Sequence, residues 1–161
     1  MPRYRFDRFL RVLSFFDKFE EIEMRVVKIS EVKKEPFRHP LFTGSDLTRQ
    51  VLLPDSKEFE INVVNFGKDV RNKFHVHDSE QILLASSGKG VIAMEAEEKV
   101  IVVGDIVIIS AGEKHWHGAA RDSEFSHIYI TGLGSEVTQL EKLDPGSFAA
   151  KWREMEGLGD I

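Results

Sequence analysis

Four of the six histidines in this 161-residue chain lie in two doublets, His75-Val76-His77 and His115-Trp116-His117. Strand side chains alternate faces, so residues two apart point the same way. Each doublet, at the edge of a predicted strand, therefore aims two imidazoles at one side of a sheet. If the two sides converge, the result is a metal site. The chain has no cysteine, which excludes thiolate centres and disulfides. Any ion must be held by imidazole, carboxylate, amide or water, a donor set suited to Fe, Mn, Co, Ni, Cu or Zn. Gln81 follows His77 past an Asp78-Ser79 turn, at the head of an apolar strand. His115 arrives after turns at Gly104-Asp105 and Ala111-Gly112. In a small barrel, His75 and His77 from one strand, the Gln81 amide from the next and His115 from a later one can meet around one divalent ion. Glu80 competes with Gln81, because a one-residue slip in register reverses the face.

The elements that must position these groups read as short strands: 24–29, 47–53, 60–66, 81–86, 89–95, 98–103, 105–109, 115–119 and 125–131. Turn signals at Pro54-Asp55-Ser56, Gly67, Ser87-Gly88, Gly104 and Ala111-Gly112 separate several of them. That spacing predicts an all-β sandwich or barrel and argues against a βαβ fold. Segment 30–46, with Pro36, Pro40 and Gly44, reads as an ordered loop or arm. Residues 4–22 carry Phe6, Phe9, Leu10, Leu13 and Phe16 at helical spacing. This amphipathic helix is expected to pack on its own domain or on a dimer mate. Its Phe-rich and Arg-rich faces also allow a membrane surface, which the acidic stretch from Asp17 to Glu23 opposes. Met24 offers an alternative start, which would make residues 1–23 an extension. A last short helix is expected over 147–156. The predicted organisation is thus an N-terminal helix (1–23), a barrel (24–135) and a C-terminal helical tail (136–161).

Composition narrows the function classes. The formal charge of −5 and pI near 5.7 argue against a general nucleic-acid binder. No apolar run approaches the roughly 20 residues of a spanning helix, and the N-terminus lacks a secretory pattern. A cytoplasmic protein with no membrane partner is expected. Many Lys and Glu with few Asn and Gln lean toward a thermophilic source.

The histidine pattern resembles the cupin family. Its first motif is matched by His75-x-His77, three residues, Gln81, six residues and Gly88. Its second is matched by Gly104, five residues, Ser110-Ala111-Gly112, two residues, His115, three residues and Ala119. The stretch Lys114-His115-Trp116-His117-Gly118-Ala119 is similar to a subgroup that pairs it with H-x-H-x3-Q and occurs beside carboxymuconolactone decarboxylase-like proteins. Ser110 and Ala119 stand where the family carries Pro and Asn, both scaffold positions, and the loop from Gly67 to His75 is longer than usual. The resemblance covers 55–132 well, 24–54 loosely, and the first helix not at all.

The resemblance implies a jelly-roll β-barrel with one divalent metal (Mn, Fe, Zn, Ni or Co) held by His75, His77, Gln81 and His115. Gln81 in place of the commoner Glu matters. Three imidazoles and an amide leave the ion its full +2 charge, so the site should attract an anionic partner. His117 shares the face of His115 and is read either as an acid–base group or as a rim histidine. His127 matches a frequent pocket position of the subgroup. Both are candidate catalytic residues, with histidine's proton chemistry near neutral pH. Leu83 and Ala85 should follow Gln81 inward, Trp116 should be core or interface, and His39 exposed. Arg49 or Arg121 could pair a substrate carboxylate, with surface charge the plainer reading. The expected function is a metal-dependent enzyme, a dioxygenase-like oxidoreductase, isomerase or decarboxylase/lyase, on a small oxygen-rich or aromatic substrate. The alternative is a non-catalytic ligand or metal sensor. Exposed strands and the 24–54 arm suggest a homodimer made by strand exchange.

Overall fold

The structure is a computed structural model that describes residues 24–140. The helices expected over 4–22 and 147–156 lie outside the described residues. Ten strands follow in order: β1 Glu35–Pro36, β2 Leu47–Val51, β3 Phe59–Phe66, β4 His75–His77, β5 Gln81–Met94, β6 Glu98–Val102, β7 Ile106–Ile109, β8 His115–Ala119, β9 Phe125–Gly132 and β10 Val137–Gln139. All pairings are antiparallel, in the order β1-β2-β3-β9-β5-β8-β4-β10, with β6 and β7 also on β5. The architecture is the expected curled all-β jelly roll.

Strand β5 makes the barrel. Its first half pairs with β7 and β9, and its second half with β6 and β8. The two halves, read from sequence as separate strands at the Ser87-Gly88 turn signal, form one strand with a bulge between Ala85 and Ser87. A bulge bends a strand without ending it. Gly88 takes φ +69 there, and a Cβ on it would meet the Glu124 carbonyl at 1.9 Å. The turn residues thus mark a bend, where one strand passes from one sheet to the other.

Residues 24–29 form no strand; a 3₁₀ turn follows at Ile29–Glu31. Gln50 donates from Nε2 to the carbonyls of Ile29 and Val32, at 2.9 and 2.6 Å, which ties this segment to β2. The arm beyond it pairs with its own chain, through β1 on β2 and through the Lys73 N–H to the Leu41 carbonyl at 2.7 Å. Val137–Gln139, at the start of the expected tail, run beside His75–His77 as an edge strand.

Between the sheets lies an apolar core that includes Leu47, Val64, Phe66, Leu83, Ala85, Ile109 and Phe125. Leu83 and Ala85 point inward as the alternation from Gln81 predicts, and Trp116 is buried. Among the described residues no helix is long and apolar enough to cross a membrane.

Candidate metal centre

His75, His77 and His115 converge: each offers a ring nitrogen, and these atoms lie within 4.8 Å of one another. Strand pairing explains the convergence. His75 on β4 is the direct partner of His115 on β8, and His77 follows His75 on the same face. Gln81 enters from the head of β5 and is buried, while Glu80 beside it is exposed. The register therefore presents the amide to the site.

Backbone carbonyls set the histidine tautomers. His75 Nδ1 lies 2.8 Å from the Lys73 carbonyl and His115 Nδ1 lies 2.8 Å from the Glu113 carbonyl. A carbonyl only accepts, so each Nδ1 carries the proton and each Nε2 keeps a free lone pair. Gln81 Nε2 donates to His77 Nε2 at 3.1 Å, which turns Gln81 Oε1 toward His115 Nε2 at 3.2 Å. That last pair is two acceptors face to face, a contact relieved either by a shared cation or by turning the amide end for end, so that Nε2 donates to His115 and Oε1 accepts from His77. Ligands about 2.1 Å from an ion at right angles lie roughly 3 Å apart, so the spacing fits two neighbouring ligands. The three imidazoles could hold a divalent transition metal, and the Gln81 amide lies beside them.

Burial also keeps the imidazoles neutral, as ligands must be. Desolvation lowers His75 to about 3, assisted by the neighbouring His115. It lowers His77 to about 4, again assisted by His115. His115 is pushed down by the same burial.

A second pair of imidazoles sits beside these. His117 on β8 and His127 on β9 are buried, with His117 Nδ1 3.1 Å from His127 Nε2. Burial lowers His127 to about 3 and holds His117 well below its ordinary value, where the neighbouring imidazole adds to the effect. Asn72 braces His117 twice. Its Oδ1 accepts the His117 backbone N–H at 2.7 Å and its Nδ2 lies 3.0 Å from His117 Nε2. Gly118 permits this approach, since a Cβ there would meet Arg71 Cα at 2.4 Å.

All but one of the six candidates, His75, His77, Gln81, His117 and His127, line a cavity of about 270 Å³. His115 is fully buried behind it, its ring 4.2 Å from that of His75. His39 is exposed, as expected, and stands at the cavity's edge. Arg121 is exposed, whereas Arg49 is half-buried and lines the cavity.

Sequence reasoning missed a polar cluster on the same wall. Glu60 Oε1 accepts from the Tyr129 hydroxyl and from Asn62 Nδ2, the latter at 2.8 Å. Burial, then Glu60, pushes the Tyr129 phenol above its ordinary value. Register accounts for the grouping. Glu60, Thr131 and Gln81 form one row across β3, β9 and β5, and Asn62, Tyr129 and Leu83 form the next. The available signal was alternation along β9, which puts Tyr129 and Thr131 on the face of His127. Asn72, in a loop, left no periodic signal.

Comparison with known proteins agrees with this geometry. Residues 62–131 match the family described as "Cupin domain". Over 68 residues the chain is 38% identical to the (R)-mandelonitrile lyase of Granulicella tundricola, a match covering 42% of this chain and 52% of that protein. It thus spans about half the length of that curated relative. The fold is similar to that of a cupin-like protein from Thermotoga maritima, with 26% identity, a TM-score of 0.64, and 74% of this chain and 90% of that chain covered. It is also similar to a polyketide cyclase from Streptomyces resistomycificus, with 15% identity, a TM-score of 0.67, and 84% and 99% covered. The domain match and the shared fold support the cupin superfamily.

Proposed function

With a cupin barrel as premise, we propose that this chain is a metal-dependent enzyme of the lyase type, acting on a small oxygen-bearing organic substrate. The observation that carries the reading is the convergence of the His75, His77 and His115 ring nitrogens within 4.8 Å of one another, with the Gln81 amide beside them as the fourth ligand. The Granulicella relative is an (R)-mandelonitrile lyase, which favours a lyase among the cupin chemistries, and the Lys114–Ala119 stretch and the H-x-H-x3-Q spacing favour the subgroup named above. When bound, the ion would supply Lewis-acid polarisation of a substrate oxygen.

The chain's own groups do the rest. Asn72 Oδ1 must accept from a backbone N–H, so Nδ2 must donate to His117 Nε2. His117 therefore carries its proton on Nδ1 and donates it to His127 Nε2. Neutral His127 then carries its proton on Nδ1, which has no hydrogen-bond partner among the described residues. In this reading the neutral pair is the site's base: it takes the proton of the substrate hydroxyl as the carbonyl forms and returns it to the leaving group. The apolar walls, Leu41, Phe42, Val64 and Phe66 among them, exclude water from the reacting centre.

The test joins metal content to turnover. Protein purified without tag or chelator should carry close to one equivalent of a divalent ion. It should release a carbonyl product from at least one of a panel of 2-hydroxy nitriles and 2-hydroxy acids, and lose this on chelation or in His127→Ala. Full metal occupancy with no turnover across the panel would favour the non-catalytic binding protein.

A homodimer is part of the reading. The outer face of the β3-β9-β5-β7 sheet carries two aliphatic rows, Val63-Ile128-Leu84-Ile106 and Ile61-Ile130-Ile82-Ile108, in register. Ile106 and Ile108 are each 63% exposed. A solvated sheet face is ordinarily polar, and a patch of this kind marks an interface. A second copy, packing the same face on itself about a two-fold axis, would cover it.

A further inference from the structure

We propose that Arg49 is the carboxylate anchor of the cavity, so that the substrate of the lyase site is a small organic acid. This rests on the reading of the site above and adds the class of molecule that enters it.

Arg49 lies on β2 in register with Val64 of β3, which in turn faces His127 of β9. The row brings the guanidinium to the cavity that the histidines line. Arginine is almost never fully buried without a partner, and Arg49 is half-buried on the cavity wall. Here no carboxylate of the described residues lies within ion-pair distance of it. The nearby acid, Glu60, is instead held at Oε1 by Tyr129 and Asn62. What Arg49 does have is a platform: its guanidinium carbon sits 4.4 Å from the centre of the Phe37 ring. A guanidinium stacked on a ring has its face covered, and its in-plane N–H fork remains for a planar acceptor. A carboxylate matches that fork with two parallel hydrogen bonds.

Charge points the same way. The donor set of three imidazoles and an amide is neutral, and so is the His117–His127 pair. With a divalent ion in place, Arg49 adds positive charge and Glu60 alone subtracts. So loaded, the cavity would be net positive, and a desolvated positive cavity favours an anion. At about 270 Å³ the space lies at the small end of ligand pockets, which selects a small metabolite. Phe37, Phe42 and Phe66 give it an apolar, aromatic lining, so the remainder of the acid is aryl or branched alkyl.

Titration calorimetry of the intact protein tests this with mandelate, lactate, benzoate and 4-hydroxybenzoate, and with mandelamide as the uncharged control. The expected result is that at least one acid binds and that mandelamide binds more weakly than mandelate. Arg49→Leu should weaken the acid by about 10- to 100-fold, the worth of a charged hydrogen-bonded contact, and leave mandelamide unchanged. Arg49→Lys should recover part of the loss. Equal acid affinity in wild type and Arg49→Leu, or no binding by any acid in the panel, overturns the proposal. Metal content measured on the same samples separates the two readings. Arg49-dependent binding to protein that takes up no metal would leave the anchor standing and remove the metal chemistry, whereas full metal with Arg49-independent binding would do the reverse.

Discussion

His117 Nδ1 lies 3.1 Å from His127 Nε2, and the direction of that hydrogen bond is set from the far side of His117 by Asn72. The backbone N–H of His117 can only donate, which orients the Asn72 amide, and the amide then assigns every proton down the line. Replacing the amide by a carboxylate should reverse the assignment. In Asn72→Asp, His117 Nε2 would have to donate, so Nδ1 would accept and His127 Nε2 would carry the proton. Nitrogen-15 NMR of the histidine rings reads this directly. Both rings should show the Nδ1–H tautomer in wild type and the Nε2–H tautomer in the variant. The same tautomers in both proteins would refute control by Asn72. Gly118→Ala should also disturb the bracing, because the added Cβ meets Arg71. Overpacking of that kind costs about 1–3 kcal/mol.

Metal binding should follow the donor set. His75→Ala and His115→Ala are each expected to lose stoichiometric metal, while His39→Ala, at the exposed edge of the cavity, keeps it. Gln81→Glu should tighten a divalent ion by adding a negative charge to a neutral set. Competition with a chromophoric chelator checks the order. Full metal in either histidine variant, or weaker binding in folded Gln81→Glu, would remove that residue from the ligand set.

Acid should destabilise the metal-free fold. His75 and His127 are lowered to about 3 and His77 to about 4, and His115 and His117 are lowered as well. Below the ordinary value of 6.5 the unfolded chain takes up protons that the folded chain does not. Stability from these groups is therefore present above pH 6.5 and is lost as pH falls toward their folded values. Each fully buried histidine contributes a slope of up to about 1.4 kcal/mol per pH unit in that window. Thermal melts between pH 7 and pH 5 should show Tm falling steeply with acidification. A bound divalent ion should hold Tm up at pH 7 and release as the pH drops. A flat Tm profile would mean that the imidazoles are not buried neutral.

The outer sheet face gives a prediction about assembly. Ile106→Glu combined with Ile108→Glu places two charges at the exposed β7 end of the aliphatic rows. Sedimentation equilibrium should find a dimer in wild type and a monomer in the double variant, with metal content unchanged. A monomeric wild-type protein would leave that face without the second copy proposed for it.

How much of this was legible beforehand follows from what each feature depends on. The ligand doublets, the inward alternation of Gln81, Leu83 and Ala85, and the all-β class depend on period and composition, which are local properties of the chain. His75 and His115 could be named from spacing because strand geometry alone aims each doublet at one face. The choice of Gln81 over Glu80 was open, since alternation does not carry across the Asp78-Ser79 turn; the pairing of β5 with β7 and β9 decided it. The continuity of β5 was misread because a bulge and a turn use the same residues, and only neighbouring strands on both sides distinguish a bend from a stop. Arg49, Glu60, Asn72 and Tyr129 had no local signature of a site. Each is an ordinary polar residue until strand register, a long-range property, sets it beside the histidines. The proton positions on His117 and His127 depend on Asn72, 45 residues before the first of them. A tautomer is fixed by its hydrogen-bond partner, and only the tertiary structure supplies that partner.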